Sequence, residues 1–159
     1  MKTAVLTISD KGAAGKREDA SGPAIEDFIT EHGGEIVYYD IVPDEFEEIE
    51  KCLNKLCNKD EVELILTSGG TGFAERDITP EVTEEVIVKE APGIGEKMRS
   101  DTSRHTELSY LSRAKAGIKN KTLIINLPGS PKAVKQCLES IIEILPHGID
   151  ILQGEITEH

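Results

Sequence analysis

The segment Leu64-Ile65-Leu66-Thr67-Ser68-Gly69-Gly70-Thr71-Gly72 constrains this chain more than any other. Its first half is apolar without alternation, which suits a strand covered on both faces. Its second half places three glycines in four positions, where missing β-carbons let backbone approach a ligand and turn its amides inward as a nest for an anion. Glu75-Arg76-Asp77 follows, then Thr79-Pro80-Glu81, a helix start with proline near the first position. A doubly covered strand requires helices on both sides of its sheet, and so crossover connections between parallel neighbours.

The remaining segments agree. Ala4 to Ile8 reads as a strand and Ser9 to Ser21 as a polar loop. Gly22-Pro23 opens a helix striped by Ile25, Phe28 and Ile29, which Gly33-Gly34 ends. Glu35 to Val42 is a second strand. Pro43-Asp44 leads into a helix carrying Phe46, Ile49, Leu53, Leu56 and Cys57, with Asp44 and Glu47 spaced as a capping box. Val62 to Thr67 is the third strand. The helix from Thr79 is expected to reach about Lys89 and to be broken by Pro92-Gly93, with an interrupted helical region from Ile94 toward Lys115. Thr122 to Asn126 is a further strand, and Ser130-Pro131 caps a last helix striped by Val134, Cys137, Leu138, Ile141, Ile142 and Leu145. His147 to Gly154 is a short extra element. The expected fold is α/β, a three-layer α/β/α sandwich with a mainly parallel sheet, in a single domain over residues 1–159.

Ligands of such sheets bind beyond the carboxyl ends of the strands. Four loops of unusual composition fall there: Ser9 to Ser21, Pro43-Asp44, Ser68 to Thr79, and Leu127 to Pro131. The glycine loop is not a Walker A loop, because no Gly-Lys-Ser/Thr follows, and Glu75 stands where a dinucleotide fingerprint needs its third glycine. Asp77 either complements a helix N-terminus or serves as a magnesium ligand beside phosphates, since Mg²⁺ takes one or two carboxylates plus phosphate oxygens. Asp44 reads as an N-cap, as a second carboxylate for metal or substrate, or as both. Pro128-Gly129-Ser130 offers a bare backbone, a hydroxyl and a helix N-terminus, an anion site or an ordinary capped junction. Ser112-Arg113 suits a phosphate or a plain polar surface. Ser9, Asp10, Asp19 and Ser21 are suggestive without being specific.

A net charge of −12 argues against nucleic acid as a partner. The charge is uneven: Asp40 to Glu63 holds nine acids and three lysines, whereas Lys97 to Lys121 holds seven bases and two acids. The basic segment is either a solvated face or one turned to an anionic ligand. Cys52, Cys57 and Cys137 form no Cys-x-x-Cys pair and are expected as reduced structural thiols. No apolar run approaches the ~20 residues of a membrane helix, no signal-peptide layout opens the chain, and the expected place is the cytoplasm.

Together these segments resemble the molybdenum-cofactor biosynthesis domain, found in the Mog and MoaB proteins and in the G domains of gephyrin and its plant counterpart. The likeness rests on Leu66 to Gly72 with Arg76-Asp77-Ile78-Thr79-Pro80-Glu81, and on Ile8-Ser9-Asp10, Asp19-Ala20-Ser21-Gly22-Pro23, Val42-Pro43-Asp44, Leu111-Ser112-Arg113 and Asn126-Leu127-Pro128-Gly129-Ser130-Pro131. It implies molybdopterin adenylyltransferase activity, in which ATP and molybdopterin give adenylylated molybdopterin and pyrophosphate with Mg²⁺. It also implies a homotrimer, with hexamers in the MoaB branch; the charge and the lack of a long apolar run point to no nucleic-acid or membrane partner. By the same likeness the catalytic, metal-holding aspartates are Asp44 and Asp77. Ser112 lies near the pterin phosphate, and Ser68, Gly69, Gly70, Thr71, Gly72, Arg113, Pro128, Gly129, Ser130, Ser9 and Asp10 line or flank the substrate site. The alternative within the family is a non-catalytic molybdopterin-binding or scaffold member.

Overall fold

A computed structural model of the chain describes residues 1–156. One six-stranded sheet, ordered β2-β1-β3-β6-β5-β4, organises them. Its strands are β1 (Lys2–Ile8), β2 (Glu35–Val42), β3 (Leu64–Ser68), β4 (Lys89–Glu90), β5 (Ala116–Lys119) and β6 (Thr122–Leu127). β1, β2, β3 and β6 run parallel, and the β5–β6 and β4–β5 pairs are antiparallel. The helices are α1 (Asp10–Ala13), α2 (Ser21–Glu31), α3 (Phe46–Cys57), α4 (Thr79–Val86), α5 (Pro92–Thr102), α6 (Pro131–Ile141) and α7 (Leu145–Gln153), with a 3₁₀ turn at Glu107–Leu111.

Alternation along the central strands sends side chains to two cores. Val5, Leu64, Leu66, Leu123, Ile125 and Leu127 meet Ile25, Phe28 and Ile29 of α2, Met98 of α5 and Val134, Leu138 and Ile141 of α6. Ala4, Leu6, Ile65 and Ile124 meet Ile49, Leu53 and Leu56 of α3 and Val82 and Val86 of α4. β3 is buried along its whole length, as its unalternating sequence requires. These are the three layers expected of the sequence. No helix among the described residues is long and apolar enough to cross a membrane. The three cysteines are free and buried, and burial pushes the Cys57 and Cys137 thiols up to about 11.

Four local expectations are corrected. α4 stops at Val86, and the chain turns at Ile87 into the short edge strand β4. Pro92 does not merely break a helix; it starts α5, where its missing N–H and fixed φ suit the first turn. The sheet also gains an antiparallel edge, formed by β4 and β5, that the sequence pattern does not announce. Asp44 is not the cap of α3: Glu45 occupies that position in extended conformation with no side-chain cap bond.

Candidate functional site

The register of the parallel strands sets their carboxyl ends level. Thr7 pairs with Ser68, Ser68 with Leu127, and Ile8 with Val42. β1 has β2 on one side and β3 on the other, so the loops after β1 and β3 straddle a topological switch point. A cavity of about 480 Å³ opens there. It takes Ser9, Asp44, Ser68, Gly69, Gly70, Asp77, Gly129 and Ser130 into its lining, so residues from all four expected loops meet. Glu18 and Asp19 also line it, and Arg17 is the one cationic side chain among its lining residues.

The glycine loop is pinned by its carbonyls. Gly70 O accepts from Thr79 N at 3.1 Å and Thr71 O from Arg113 N at 3.0 Å. Gly72 O accepts from Arg113 Nε at 2.7 Å. The N–H groups of Gly70, Thr71 and Gly72 have no partner among the described residues, whereas Gly69 N–H is tied to Leu127 O at 3.1 Å. Carbonyls held back leave three amides without partners, one residue on from the spacing read in the sequence, and of these residues Gly70 lines the cavity. Gly69 and Gly70 have φ of +105° and +67°, conformations that a side chain rarely adopts.

Arg113 directs the remainder of its guanidinium to Asp77 O at 2.6 Å and to the Glu81 carboxylate. It therefore acts on the loop from behind, bracing it rather than facing the cavity. Arg76 does the same across the rim. Its Nε and Nη2 reach Asp10 at 2.6 and 3.0 Å, and Nη2 also reaches Asp44 O at 3.0 Å and Glu45 Oε1 at 2.7 Å. Asp10, held below the usual carboxylate range first by Arg76, accepts from Asp44 N at 3.0 Å, while its own N–H donates to Asp44 Oδ2 at 2.9 Å. That reciprocal pair, joining residues 34 apart, replaces the capping role read for Asp44.

Asp44 and Asp77 each spend one oxygen on a backbone amide, Asp44 Oδ2 on Asp10 N and Asp77 Oδ2 on Ala74 N at 2.9 Å. The other oxygen of each has no hydrogen-bond partner among the described residues. Burial, joined by repulsion from Asp10 and Asp77, holds the Asp44 carboxyl above its ordinary value despite the Asp10 amide and Arg76. An acidic rim with unengaged carboxylate oxygens fits a hard cation. No cluster of three or more metal-ligating side chains occurs among the described residues. A pair of carboxylates is what Mg²⁺ requires when phosphates complete its shell.

The other named residues lie around this centre. Ser9 caps α1 by accepting from Gly12 N at 3.1 Å, and Ser130 caps α6 by accepting from Ala133 N at 3.3 Å, leaving Lys132 N–H free at the helix end. Ser68 Oγ donates to Pro128 O at 2.8 Å and joins the loops after β3 and β6. Ser112 and Pro128 line a second, mostly apolar cavity of about 200 Å³ with Met98, Leu108, Ala133 and Cys137. Arg17 escapes a reading of the sequence because no motif marks it. Asp19 has a definite task. Burial works to raise its carboxyl, but hydrogen bonds from Thr7 (2.7 Å), Tyr39, Gly22 and Ser21 outweigh it and fasten the first loop to β1 and β2. The signal was an aspartate two residues before a helix, a turn former by local hydrogen bonding.

Comparison with known proteins supplies the family. A family described as "Probable molybdopterin binding domain" matches residues 4–147. A molybdopterin adenylyltransferase of Helicobacter pylori is 46% identical over 156 residues, covering 97% of this chain and 89% of that protein. One of Escherichia coli K12 is 36% identical over 172 residues, covering 99% and 88%. The crystal structure of the molybdopterin biosynthesis enzyme MoaB from Thermus thermophilus superposes with a TM-score of 0.91 at 42% identity, covering 96% of each chain. The chain belongs to the molybdopterin-binding domain family of molybdenum cofactor biosynthesis proteins.

Proposed function

We infer that this chain is a molybdopterin adenylyltransferase, joining the AMP of ATP to the terminal phosphate of molybdopterin and releasing pyrophosphate. The observation that carries the reading is the meeting, at one cavity, of the glycine loop at Gly69 and Gly70, whose Gly70 amide is free, with the half-engaged carboxylates Asp44 and Asp77. Relatives bearing that activity in their names, at up to 46% identity over nearly the whole chain, support it.

In the proposed reaction a phosphate oxygen of molybdopterin forms a bond to the α-phosphorus of ATP, and the bond from that phosphorus to the pyrophosphate oxygen breaks. The protein has little covalent work to do; it must bring two polyanions together and hold them in line. The free amides of Gly70, Thr71 and Gly72 and the α6 N-terminus at Ser130 receive phosphate oxygens. Arg17, exposed at the cavity wall, meets a phosphate from the other side. Asp44 and Asp77 would hold Mg²⁺, which supplies charge neutralisation between the phosphates. Ser112 and Pro128 extend the site toward the apolar cavity. The reading assigns no covalent nucleophile and no adenylyl-enzyme. A homotrimer is carried with this reading, supported by the exposed apolar side chains Leu108, Tyr110 and Leu111 on one turn.

The test is pyrophosphate release by the purified protein given molybdopterin, ATP and Mg²⁺. Asp77→Asn should lower the rate by roughly 10²–10³-fold, the scale of losing a preorganised electrostatic element. Molybdopterin binding without pyrophosphate release would overturn the catalytic reading.

A further inference from the structure

Arg99 stands in the last turn of α5 and makes no ion pair among the described residues. Its guanidinium is directed at backbone instead. Nη1 donates to Ser112 O at 3.2 Å and to Ala114 O at 2.9 Å. Those two carbonyls stand immediately before and after Arg113, the residue that braces the glycine loop. α5 leaves room for the arrangement. A β-carbon on Gly95, one turn earlier, would stand 3.0 Å from Ala114 O and 3.1 Å from Arg99 Nη2. Glycine therefore clears the place where carbonyl and guanidinium meet.

Residues 112–115 belong to no helix or strand, so regular structure does not fix the direction in which Arg113 leaves the backbone. Side-chain contacts do so. Ala114 N donates to Ser112 Oγ at 3.3 Å and Lys115 N to Asn126 Oδ1 at 3.1 Å. On the carbonyl side, Arg99 holds both peptides next to Arg113. Arginine suits this task, because its planar guanidinium keeps its charge and presents its donors in a fixed fork.

We propose that Arg99 is a positioning residue for the glycine loop: by gripping the carbonyls on either side of Arg113, it fixes the peptide from which Arg113 reaches Gly72 O and Asp77 O. Two arginines act in series, the outer on the backbone beside the inner, the inner on the loop. Arg99 is not in the lining of the cavity that holds Asp44 and Asp77, so its influence there passes through Arg113. That the loop serves a substrate is the adenylyltransferase reading, on which the kinetic side of this proposal rests.

Arg99→Met keeps the apolar stem and removes both bonds. Arg99→Gln keeps an amide donor, and it takes the place of the methionine variant if that one does not fold. The Arg99 variant is made alone and together with Arg113→Met. Two quantities are measured on the full chain: kcat/KM for pyrophosphate release, and the amide ¹H–¹⁵N signals of Gly70, Thr71 and Gly72 without ligand. Alone, the Arg99 variant should lower kcat/KM about tenfold, the scale of one hydrogen bond from a charged group. Where Arg113 is already methionine it should lower it by less than about twofold, because residues acting through one another are not additive. The Thr71 and Gly72 signals should move in the single variant, and adding the Arg99 change to Arg113→Met should move them no further. Losses of equal size in both backgrounds, which a merely structural role would give, would overturn the proposal. So would loop signals that the Arg99 variant leaves in place. If the wild type releases no pyrophosphate, the adenylyltransferase reading falls by itself, and the amide signals alone decide whether Arg99 acts on the loop.

Discussion

Replacing Gly69 by alanine tests whether the loop after β3 is as tightly specified as its contacts indicate. Two separate costs apply. The φ of +105° lies where an L side chain is strained, at about 1–3 kcal/mol. The new β-carbon would also overlap the carbonyl oxygen of Ile8, a backbone atom that cannot swing aside. Ile8 ends β1, and the residue after it is fixed by the bond from Ser9 N to Val42 O at 2.9 Å, while Gly69 itself is tied to Leu127 O. Relief therefore demands that neighbouring strand ends separate, at a further cost of about 1–3 kcal/mol. The sum, about 2–6 kcal/mol, lowers the melting temperature by roughly 4–24 °C in a domain of this size. Two other glycines separate the contributions. Gly15 has φ +69° with open space around it, so Gly15→Ala should show the conformational cost alone, about 1–2 kcal/mol. Gly129 is in neither condition: its β-carbon would stand 3.5 Å from Gly69 Cα, and Gly129→Ala should lie within about 0.5 kcal/mol of wild type. Thermal unfolding followed by circular dichroism measures all three. If Gly69→Ala melts no lower than Gly15→Ala, the claim that β1 and the glycine loop are in rigid contact is wrong.

Two further outcomes follow from the site's electrostatics and bracing. A carboxyl raised in the folded state contributes stability that is complete below its unfolded value, about 3.9, and is lost as pH rises through its folded value. Without ligand, Asp44→Asn should therefore be more stable than wild type at pH 7, with the difference vanishing toward pH 4, while pyrophosphate release falls by about 10²-fold or more. Urea denaturation across that range decides it, and an asparagine variant less stable at pH 7 would contradict the assigned environment. Arg113→Lys keeps the charge but cannot span Gly72 O, Asp77 O and Glu81 together, so it should cost about 1–2 kcal/mol and lower turnover at least tenfold. Wild-type turnover in that variant would show that the loop needs no brace.

What the sequence disclosed was what is local. β3 announced itself because three consecutive residues, Leu64 to Leu66, have no polar face, and Ser130-Pro131 because cap and proline act within one turn. The four rim loops followed from strand ends and sheet logic. What stayed hidden depended on distant partners. β4 is two polar residues that are strand only because β5 lies beside them. Asp44 has the spacing of a cap, but the backbone N–H of Asp10, 34 residues away, takes its carboxylate instead. Arg113 carries the charge of a phosphate ligand, and only the fold reveals that carbonyls of the glycine loop consume it. Thr79 looked like an ordinary helix start; its unsatisfied hydroxyl is visible only once the helix is buried.

The bracing of the glycine loop by Arg113 has a bearing on the order in which this molecule comes together. Gly72 and Arg113 are 41 positions apart, and Arg113 leads directly into β5, which is antiparallel to β6. Gly70 O is held locally by Thr79 N, but the partner of Thr71 O and Gly72 O is Arg113, which is in place only where the chain enters β5. The proposed phosphate loop thus takes two of its carbonyl partners from the last third of the chain rather than from the strand that carries it. On that reading a chain cut before Arg113 would keep the glycines and lose their brace, and with it the capture of substrate.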